Sequence, residues 1–418
     1  MSSPQETPAT ERANDPEQAA HEVVTVIADR AGYLEAVEAI RAGHGPIAID
    51  AERASGYRYS QRAYLIQVFR RGSGTFLFDP PAIGDFSELN AAISDVEWIL
   101  HAASQDLTCL REVGLNPTSL FDTELAARLA GMPRVGLGTV VEELLGIHLA
   151  KEHSAADWST RPLPQAWLVY AALDVELLVD VREKLGEILE RDGKSEIAAQ
   201  EFEAVLARDL VIVRAEPWRR LTGLHTVRGQ RNLAVARELW LARDAYAREI
   251  DTAPGRLVPD SALSAAARIL PPTKRDLAGI KEFTGRASRS QIDRWWNAIQ
   301  AGMVSTDLPA LRVQGDSVPP PRVWSEKNPE ADRRLKRARG AVTDAAAALN
   351  LPVENLLTPD LLRRVAWTPP AEVTEESIAS ALTELGARPW QVDATSQLIA
   401  QAFVEPDQTV EHAPDADS

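Results

Sequence analysis

Two carboxylates at the end of a short apolar run restrict the folds open to this chain. The run spans residues 47–49, follows Gly45 and Pro46, and leads into Asp50 and Glu52. A run bounded in this way predicts a buried strand, and side chains two apart on a strand share one face. Two neighbouring anions beside a buried strand destabilise the fold unless a cation neutralises them. The sequence therefore predicts a site for a hard divalent metal ion, which prefers carboxylate oxygens.

Two further acidic residues lie later in the chain, each in a local pattern of its own. Asp106 follows the strand-like segment 96–100 and is expected in the first turn of a helix, where the helix dipole stabilises an anion. Asp174 follows Tyr170 by four residues within a helical pattern, so both side chains lie on one helix face. Each pattern alone is typical of a surface feature. Their joint occurrence, in this order, indicates a functional site.

The joint pattern resembles the DEDD exonuclease superfamily, in the subclass whose third motif carries tyrosine, and within it the ribonuclease D family. The segment Asp50-Ala51-Glu52 resembles the first motif, Asp106 the second, and residues 170–174 the third. The histidine subclass would need His five residues before the last aspartate, where this chain has Val169. Flanking segments extend the resemblance, at residues 64–68, 121–124 and 157–163.

The resemblance implies a 3′-5′ exoribonuclease that hydrolyses RNA 3′ ends and releases nucleoside 5′-monophosphates. It implies two divalent ions, Mg²⁺ or Mn²⁺, held by Asp50, Glu52, Asp106 and Asp174. These four acids and Tyr170 form the predicted catalytic set, in which Tyr170 orients the attacking water. The expected partner is RNA with a free 3′ end, structured and tRNA-like, and the expected process is tRNA or small-RNA 3′ maturation.

Two residues outside the motifs are candidate substrate-binding residues. Arg161 suits a phosphate, because a guanidinium binds phosphate oxygens through two parallel hydrogen bonds. A structural ion pair between Arg161 and Asp157 is the alternative. Gln67, in the segment that resembles the family's next strand, is the second candidate. His101 and His153 lie near the motifs, but a lone histidine more often makes structural hydrogen bonds, and neither joins the catalytic set.

Two other functions stay open at this point. The same acids would serve a 3′-5′ DNA exonuclease, since discrimination depends on groups near the 2′-hydroxyl. A catalytically silent nucleic-acid-binding scaffold is the second alternative, and the presence of all four acids and Tyr170 argues against it.

Composition favours a cytoplasmic protein of several domains. The chain has 418 residues, of which 45% are hydrophobic and 25% charged. No apolar run reaches the length of a membrane span, and the first residues do not resemble a secretory signal. Cys109 is the single cysteine, which excludes disulfides within the chain and is predicted to be a core thiol. We expect no membrane association, no small-molecule cofactor and a monomeric state.

The net charge of −16 is unusual for a nucleic-acid enzyme, because phosphate binding usually needs a basic surface. Acidic tails account for much of it: residues 1–22 and 405–418 together hold ten acidic residues and one arginine. Two basic clusters lie between the tails and are candidates for phosphate contact or for solvated helix faces: residues 214, 219, 220, 228 and 231, and residues 333, 334, 336, 337 and 339.

The pattern along the chain predicts an α/β ribonuclease H-like exonuclease domain followed by two small all-α domains of the HRDC type. Strands are expected at residues 23–27, 47–52, 64–69, 75–78 and 96–101, and the second to fourth resemble an antiparallel meander. A capping box is predicted at Thr139 and Glu142. The second HRDC-like domain is a diverged repeat of the first at an offset near 99 residues. The predicted boundaries are 1–22 (disordered tail), 23–205 (exonuclease), 215–303 (HRDC), 304–330 (Pro-rich linker), 331–404 (second HRDC-like domain) and 405–418 (disordered tail).

Overall fold

The computed structural model describes residues 24–149, 155–208, 215–283, 285–311 and 318–404. The two predicted tails, His153, Arg214 and part of the predicted linker lie outside these ranges. None of the helices in the described ranges is long and apolar enough to span a membrane.

A mixed six-stranded sheet forms the centre of the N-terminal domain. Its order is β1-β4-β3-β2-β5-β6, in which β2, β3 and β4 form an antiparallel meander, while β1, β5 and β6 pair in parallel with their neighbours. The predicted meander is confirmed. Within the described residues the strands are β1 (Val26–Ile27), β2 (His44–Arg53), β3 (Ala63–Arg71), β4 (Gly74–Phe78), β5 (Trp98–Leu100) and β6 (Leu120–Asp122).

Helices cover both faces of this sheet. They are α1 (Arg30–Ala42), α2 (Pro80–Ile83), α3 (Ser87–Ala92), α4 (Leu107–Glu112), α5 (Thr123–Leu129), α6 (Leu137–Leu145), α7 (Gln165–Glu176), α8 (Leu178–Arg191) and α9 (Ser195–Ala207). The predicted capping box is wrong. Helix α6 begins at Leu137 with Gly136 at its N-cap and no side-chain cap, so Thr139 lies inside the helix.

The alternation of side chains along β2 decides which helices meet the acidic residues. Ile47 and Ile49 point into the large core that includes Tyr33 and Val37 of α1. Ala48 points to the opposite face, where it packs with residues of α8. Asp50 and Glu52 follow Ala48 at intervals of two, so they face the side of the sheet that α7 and α8 cover.

Two all-helical modules follow the exonuclease domain. The first helical module contains α10 (Gln230–Glu249), α11 (Pro254–Leu257), α12 (Asp260–Ile269), α13 (Lys274–Gly279), α14 (Arg286–Ser290) and α15 (Ile292–Val304). The second helical module contains α16 (Trp324–Lys327), α17 (Pro329–Ala348), α18 (Val353–Leu356), α19 (Pro359–Trp367), α20 (Glu375–Glu384) and α21 (Pro389–Val404). The first has its own apolar core, whereas the core of the second is continuous with that of the exonuclease domain.

The first helical module docks on the loop between β2 and β3. The Asp251 carboxylate accepts hydrogen bonds from the Ser60 backbone N–H (2.9 Å) and from the Tyr64 hydroxyl (3.3 Å). The Tyr59 hydroxyl donates to Asp244 at 3.0 Å. Asp251 has a left-handed backbone with φ of 45°, which is uncommon outside glycine.

The second helical module docks on the α8–α9 side of the exonuclease domain. Lys194 donates to the backbone oxygen of Asn350 at 3.2 Å, and Asn350 also has a left-handed backbone, with φ of 49°. The indole Nε1 of Trp390 donates to the Glu201 carboxylate at 2.8 Å. Glu201 also pairs with Arg388, so a buried carboxylate joins the two domains.

Packing between α10 and α15 generates a stability prediction. An added Cβ at Gly302 would lie 2.5 Å from the Cα of Val235, a backbone atom that cannot move alone. We expect Gly302→Ala to lower the free energy of unfolding by about 1–3 kcal/mol, as overpacking does. Gly340→Ala is the matched control in α17, where nothing lies within 4 Å, and it should stabilise the protein by about 0.5–1 kcal/mol. Chemical denaturation measures both; equal effects would contradict the packing argument.

Candidate active site

The first two acidic residues occupy the end of the central strand. Asp50 pairs across the meander with Gln67, and Glu52 pairs with Leu65. Leu65 packs under α7 with Leu168 and Ala171. Because paired residues of neighbouring strands share a face, Asp50 and Glu52 lie beside the α7 contact. The predicted strand and the predicted common face of the two carboxylates are both present.

Asp106 reaches the same place from the next parallel strand. It is the N-cap residue of α4, one position before the predicted first turn, and its carboxylate makes no capping hydrogen bond. The turn after β5 is unusual, since Ala102 has a left-handed backbone with φ of 59°. The Asp122 carboxylate holds this turn by accepting from the backbone N–H groups of Ala102 (3.1 Å) and Ala103 (2.8 Å).

Asp122 is a residue whose role the sequence did not reveal. Besides the turn, it caps α5 by accepting from the backbone N–H groups of Glu124 and Leu125. It is buried, and burial raises the pKa of its carboxyl while these backbone hydrogen bonds lower it. Asp122 thus positions Asp106 through the backbone. Its segment resembled the family, but nothing in the sequence indicates this contact.

Helix α7 brings the last two residues of the predicted set. Tyr170 and Asp174 lie one turn apart on it, as their spacing predicts. A hydrogen bond between the Tyr170 hydroxyl and the Asp174 carboxylate lowers the pKa of Asp174, although burial has the larger effect and raises it. Burial and the neighbouring carboxylates raise the pKa of Tyr170 well above its usual value, so the hydroxyl stays protonated.

The structure brings all five predicted residues to one cavity of about 310 Å³. One carboxylate oxygen each from Asp50, Glu52 and Asp174 lie within 4.8 Å of one another, and Asp106 lines the same cavity. Burial, and then the adjacent carboxylates, raise the pKa of Glu52 to about 10. Burial and Asp50 raise the pKa of Asp174 to about 7. Anions this close repel each other, and a cation between them would relieve that repulsion.

The donor set fits a hard divalent cation. It offers carboxylate oxygens from Asp50, Glu52 and Asp174 at mutual distances that one ion can bridge, with no nitrogen or sulfur donor among them. Cys109 does not contribute a ligand to this set; it is a buried thiol, as predicted, and burial raises its pKa to about 12. His101 lines the cavity, but its ring hydrogen-bonds Thr123 and burial lowers its pKa to about 4, so it is neutral.

Arg161 has a different ion-pair partner from the one considered. Its guanidinium bonds Asp79 through two nitrogens, at 2.6 and 3.0 Å, rather than Asp157. The remaining donors bond the backbone oxygens of Tyr64, Trp158 and Thr160. Because all five N–H donors already have acceptors, a phosphate contact would require breaking these bonds. The structure therefore favours the structural role of Arg161.

Gln67 lies beside Asp50 but is fully buried, which does not fit a direct substrate contact. Neither its side-chain oxygen nor its nitrogen has a hydrogen-bond partner within the described part of the chain.

Some arginines of the two basic clusters make hydrogen bonds inside the helical modules. Arg231 donates to the backbone oxygens of Gly302 and Ser305, and Arg334 donates to that of Ala366.

Three stretches of the chain match models of known families. Residues 24–190 match a 3′-5′ exonuclease, and this stretch contains all five residues of the cavity's predicted set. Residues 232–299 match the HRDC domain, which confirms that prediction for the first helical module. Residues 317–403 match a 3′ to 5′ exonuclease C-terminal domain, a description different from HRDC.

Relatives of known name extend the comparison to most of the chain. A ribonuclease D of Escherichia coli (strain K12) is 30% identical over 341 residues, which are 80% of this chain and 87% of that protein. The chain belongs to the ribonuclease D family. It is a 3′-5′ exonuclease with a ribonuclease H-like fold. A ribonuclease D of Jannaschia sp. (strain CCS1) is 32% identical, over 65% of this chain and 71% of the relative.

Solved structures share the arrangement. A protein from Bifidobacterium adolescentis superposes with a TM-score of 0.85 at 37% identity, over 91% of this chain and 97% of that chain. The E. coli ribonuclease D, described as an exoribonuclease involved in structured RNA processing, superposes with a TM-score of 0.65 at 27% identity. That match covers 86% of this chain and 98% of the other.

The raised carboxyl pKa values of this ribonuclease D family member generate a pH prediction. A carboxyl with a higher pKa in the folded than in the unfolded state contributes stability at low pH, and this contribution is lost as pH rises through the folded value. For Asp174 the window runs from 3.8 to about 7, and for Glu52 from 4.5 to about 10. We therefore expect the Tm of the chelator-treated protein to fall between pH about 5 and about 9.

Thermal unfolding of wild type and Glu52→Gln, each with EDTA and with Mn²⁺, measures this effect. The Gln variant should show a shallower fall of Tm with pH in EDTA, because its amide does not titrate. Mn²⁺ should flatten the wild-type profile, because a bound cation displaces the protons. Parallel profiles for both proteins in EDTA would contradict the assignment of the pH dependence to this cluster.

Proposed function

We propose that this protein is a metal-dependent 3′-5′ exoribonuclease that uses Asp50, Glu52, Asp106 and Asp174 to bind two divalent ions, Mg²⁺ or Mn²⁺. The observation that carries the proposal is the convergence of three carboxylates within 4.8 Å beside a fourth and a tyrosine. RNA is the proposed substrate because relatives covering most of the chain are named ribonuclease D. Nucleoside 5′-monophosphates are the proposed products.

Each side chain has a distinct part in the proposed reaction. Divalent ions would lower the pKa of a bound water and stabilise charge on the leaving 3′ oxygen. Asp50 would be the carboxylate shared by the two ions, because its charge acts on Glu52, Asp174 and Asp106 alike. Tyr170 lies one helical turn from Asp174 at the edge of the cluster, so its hydroxyl would orient the attacking water by hydrogen bonding.

The proposed substrate is a structured RNA with a short single-stranded 3′ end, such as a tRNA precursor. Two docked helical modules flank the exonuclease domain: one holds the β2–β3 loop through Asp251, and the other holds Lys194 through Asn350. A cavity of about 310 Å³ admits a chain end but not a folded helix. A structured body would therefore rest against the modules while its end enters the cavity.

We also propose that the second helical module is a diverged HRDC-like domain. The long helices α10 and α17 begin 99 residues apart, as do α11 and α18, and α12 and α19. Asp251 and Asn350, the left-handed residues that follow the long helices, are separated by the same 99 residues. Both turns contact the exonuclease domain. A duplication explains the common offset, and the boundaries 215–303 and 331–404 are proposed on this basis.

Replacing Asp50 tests the site. We expect Asp50→Asn to lower kcat at least about 10³-fold, because a shared metal ligand contributes several kcal/mol to transition-state stabilisation. RNA binding should change little. The control is Asp344→Asn, an exposed acid on α17 outside the cavity, which should retain full activity. The measurement is monophosphate release from a 3′-extended tRNA with Mg²⁺, Mn²⁺ or EDTA, alongside fluorescence anisotropy for binding. Undiminished hydrolysis by Asp50→Asn would refute the assigned site.

Matched oligonucleotides test the polarity and the sugar. RNA with a free 3′-hydroxyl should be shortened from that end, whereas a 3′-phosphate should resist digestion. Faster cleavage of the matched DNA would favour the alternative of a DNA exonuclease, and internal cuts would indicate an endonuclease. RNA binding without hydrolysis in either Mg²⁺ or Mn²⁺ would favour the catalytically silent scaffold.

A further inference from the structure

An arginine directly after the acidic pair lines the catalytic cavity. Strict alternation would place Arg53 on the face opposite Glu52. The pairing of β2 with β3 shifts register between these two residues: Glu52 pairs with Leu65, but Arg53 pairs with Ala63, which leaves Tyr64 as the extra residue on β3. The extra residue lies on β3 and does not change the alternation of β2, yet the long side chain of Arg53 reaches Asp106 and lines the cavity together with the acids.

Arg53 is the one side chain with a permanent positive charge in the described lining of this cavity. Its Nη2 lies 3.5 Å from Oδ1 of Asp106, which is a long ion pair. No hydrogen bond of the guanidinium is found within the described residues, and 26% of the side chain is exposed. Arg161 provides the contrast, because all of its donors have acceptors. Arg53 therefore presents unused N–H donors to whatever enters the cavity.

The charges of the cavity indicate which partner would replace Asp106. Without cations, Arg53 partly compensates the carboxylates, and Asp106 is the nearest. Once divalent cations occupy the carboxylates, Asp106 has a stronger partner and Arg53 lies beside like charges. A phosphate of the entering chain is then the anion within reach, and a guanidinium matches its oxygens through two parallel hydrogen bonds.

We propose that Arg53 is a substrate-binding residue that exchanges partners: it pairs with Asp106 in the metal-free protein and binds a phosphate of the RNA 3′ end in the loaded site. This assignment rests on the proposed metal-dependent hydrolysis and adds a residue to it. The positively charged Arg53 is not a metal ligand. It competes with the divalent metal ion for the Asp106 carboxylate. It also supplies positive charge at the point where a chain of net charge −16 must accept a polyanion.

The test compares Arg53→Gln and Arg53→Lys with Arg62→Gln, which removes an exposed arginine from the loop that follows β2, outside the cavity lining. The first measurement is a calorimetric titration of Mn²⁺ into each protein without RNA. Arg53→Gln should bind Mn²⁺ several-fold more tightly than wild type, because the competing cation is gone. Arg53→Lys and Arg62→Gln should stay near the wild-type affinity, because each keeps a cation at position 53.

The second measurement is steady-state hydrolysis of a 3′-extended RNA at saturating Mn²⁺ over a series of salt concentrations. Arg53→Gln should raise KM about tenfold while kcat changes less, as loss of one charge-assisted phosphate contact does. The slope of log affinity against log salt should fall by about 1. Arg53→Lys should recover the salt slope but only part of KM, because an ammonium is a point charge without the two-pronged geometry. Arg62→Gln should match wild type.

Several outcomes would overturn the assignment. The assignment fails if Arg53→Gln has the same Mn²⁺ affinity and the same KM as the control Arg62→Gln. A loss of kcat with unchanged KM would do so too, because it would mean that Arg53 only supports the carboxylates. The Asp50→Asn result is read separately. If that variant still hydrolyses RNA, the proposed function fails; if it is inactive while Arg53→Gln behaves as wild type, only the role of Arg53 fails.

Discussion

Repulsion among buried carboxylates is the constraint around which the exonuclease domain is organised. Asp50 and Glu52 are held by the central strand of the sheet, Asp106 by a turn after the neighbouring strand, and Asp174 by a helix packed across them. Each of these elements is stabilised by its own apolar contacts, so the fold tolerates the repulsion at the point where they meet. The repulsion lowers the free energy of unfolding of the domain, and a bound cation or bound protons reduce this effect. Burial, and then this repulsion, raise the pKa values of Glu52 and Asp174.

Local patterns in the sequence revealed the part of the site that depends on local geometry. The period of a strand placed Asp50 and Glu52 on one face, and the turn of a helix placed Tyr170 next to Asp174. Contacts between distant segments were not open to such reasoning. The partner of Arg161 is Asp79, 82 residues away, and the turn before Asp106 depends on Asp122, which belongs to a three-residue strand too short to be recognised. Arg53 shows the same limit, since alternation places it on the face opposite Glu52 and only the three-dimensional structure shows that its side chain reaches the cavity.

The two helical modules repeat several helices and one turn at a common offset, although their sequences match different family models. Their long helices share length and offset, and their following turns share a left-handed residue, yet the side chains at these turns do different things. Asp251 uses its carboxylate to hold a loop, whereas Asn350 offers its backbone oxygen to a lysine. Backbone conformation is therefore the shared property. The period of apolar residues predicted the helices, but it could not indicate that the second core would fuse with that of the exonuclease domain.

The hydrogen bond from Tyr64 to Asp251 connects the first helical module to the strand pair that bears the first two acidic residues. Tyr64 is the extra residue of the bulge opposite Arg53, so a residue 187 positions away in sequence pins the distorted end of the hairpin that bears Asp50 and Glu52. A truncated protein ending before α10 would keep every acid but lose this anchor. The end of its β2–β3 hairpin, next to Glu52 and Arg53, would lose this contact. Lower activity in such a fragment would then reflect altered geometry at the hydrolytic centre as much as lost grip on RNA, and the intact chain is the proper reference for both.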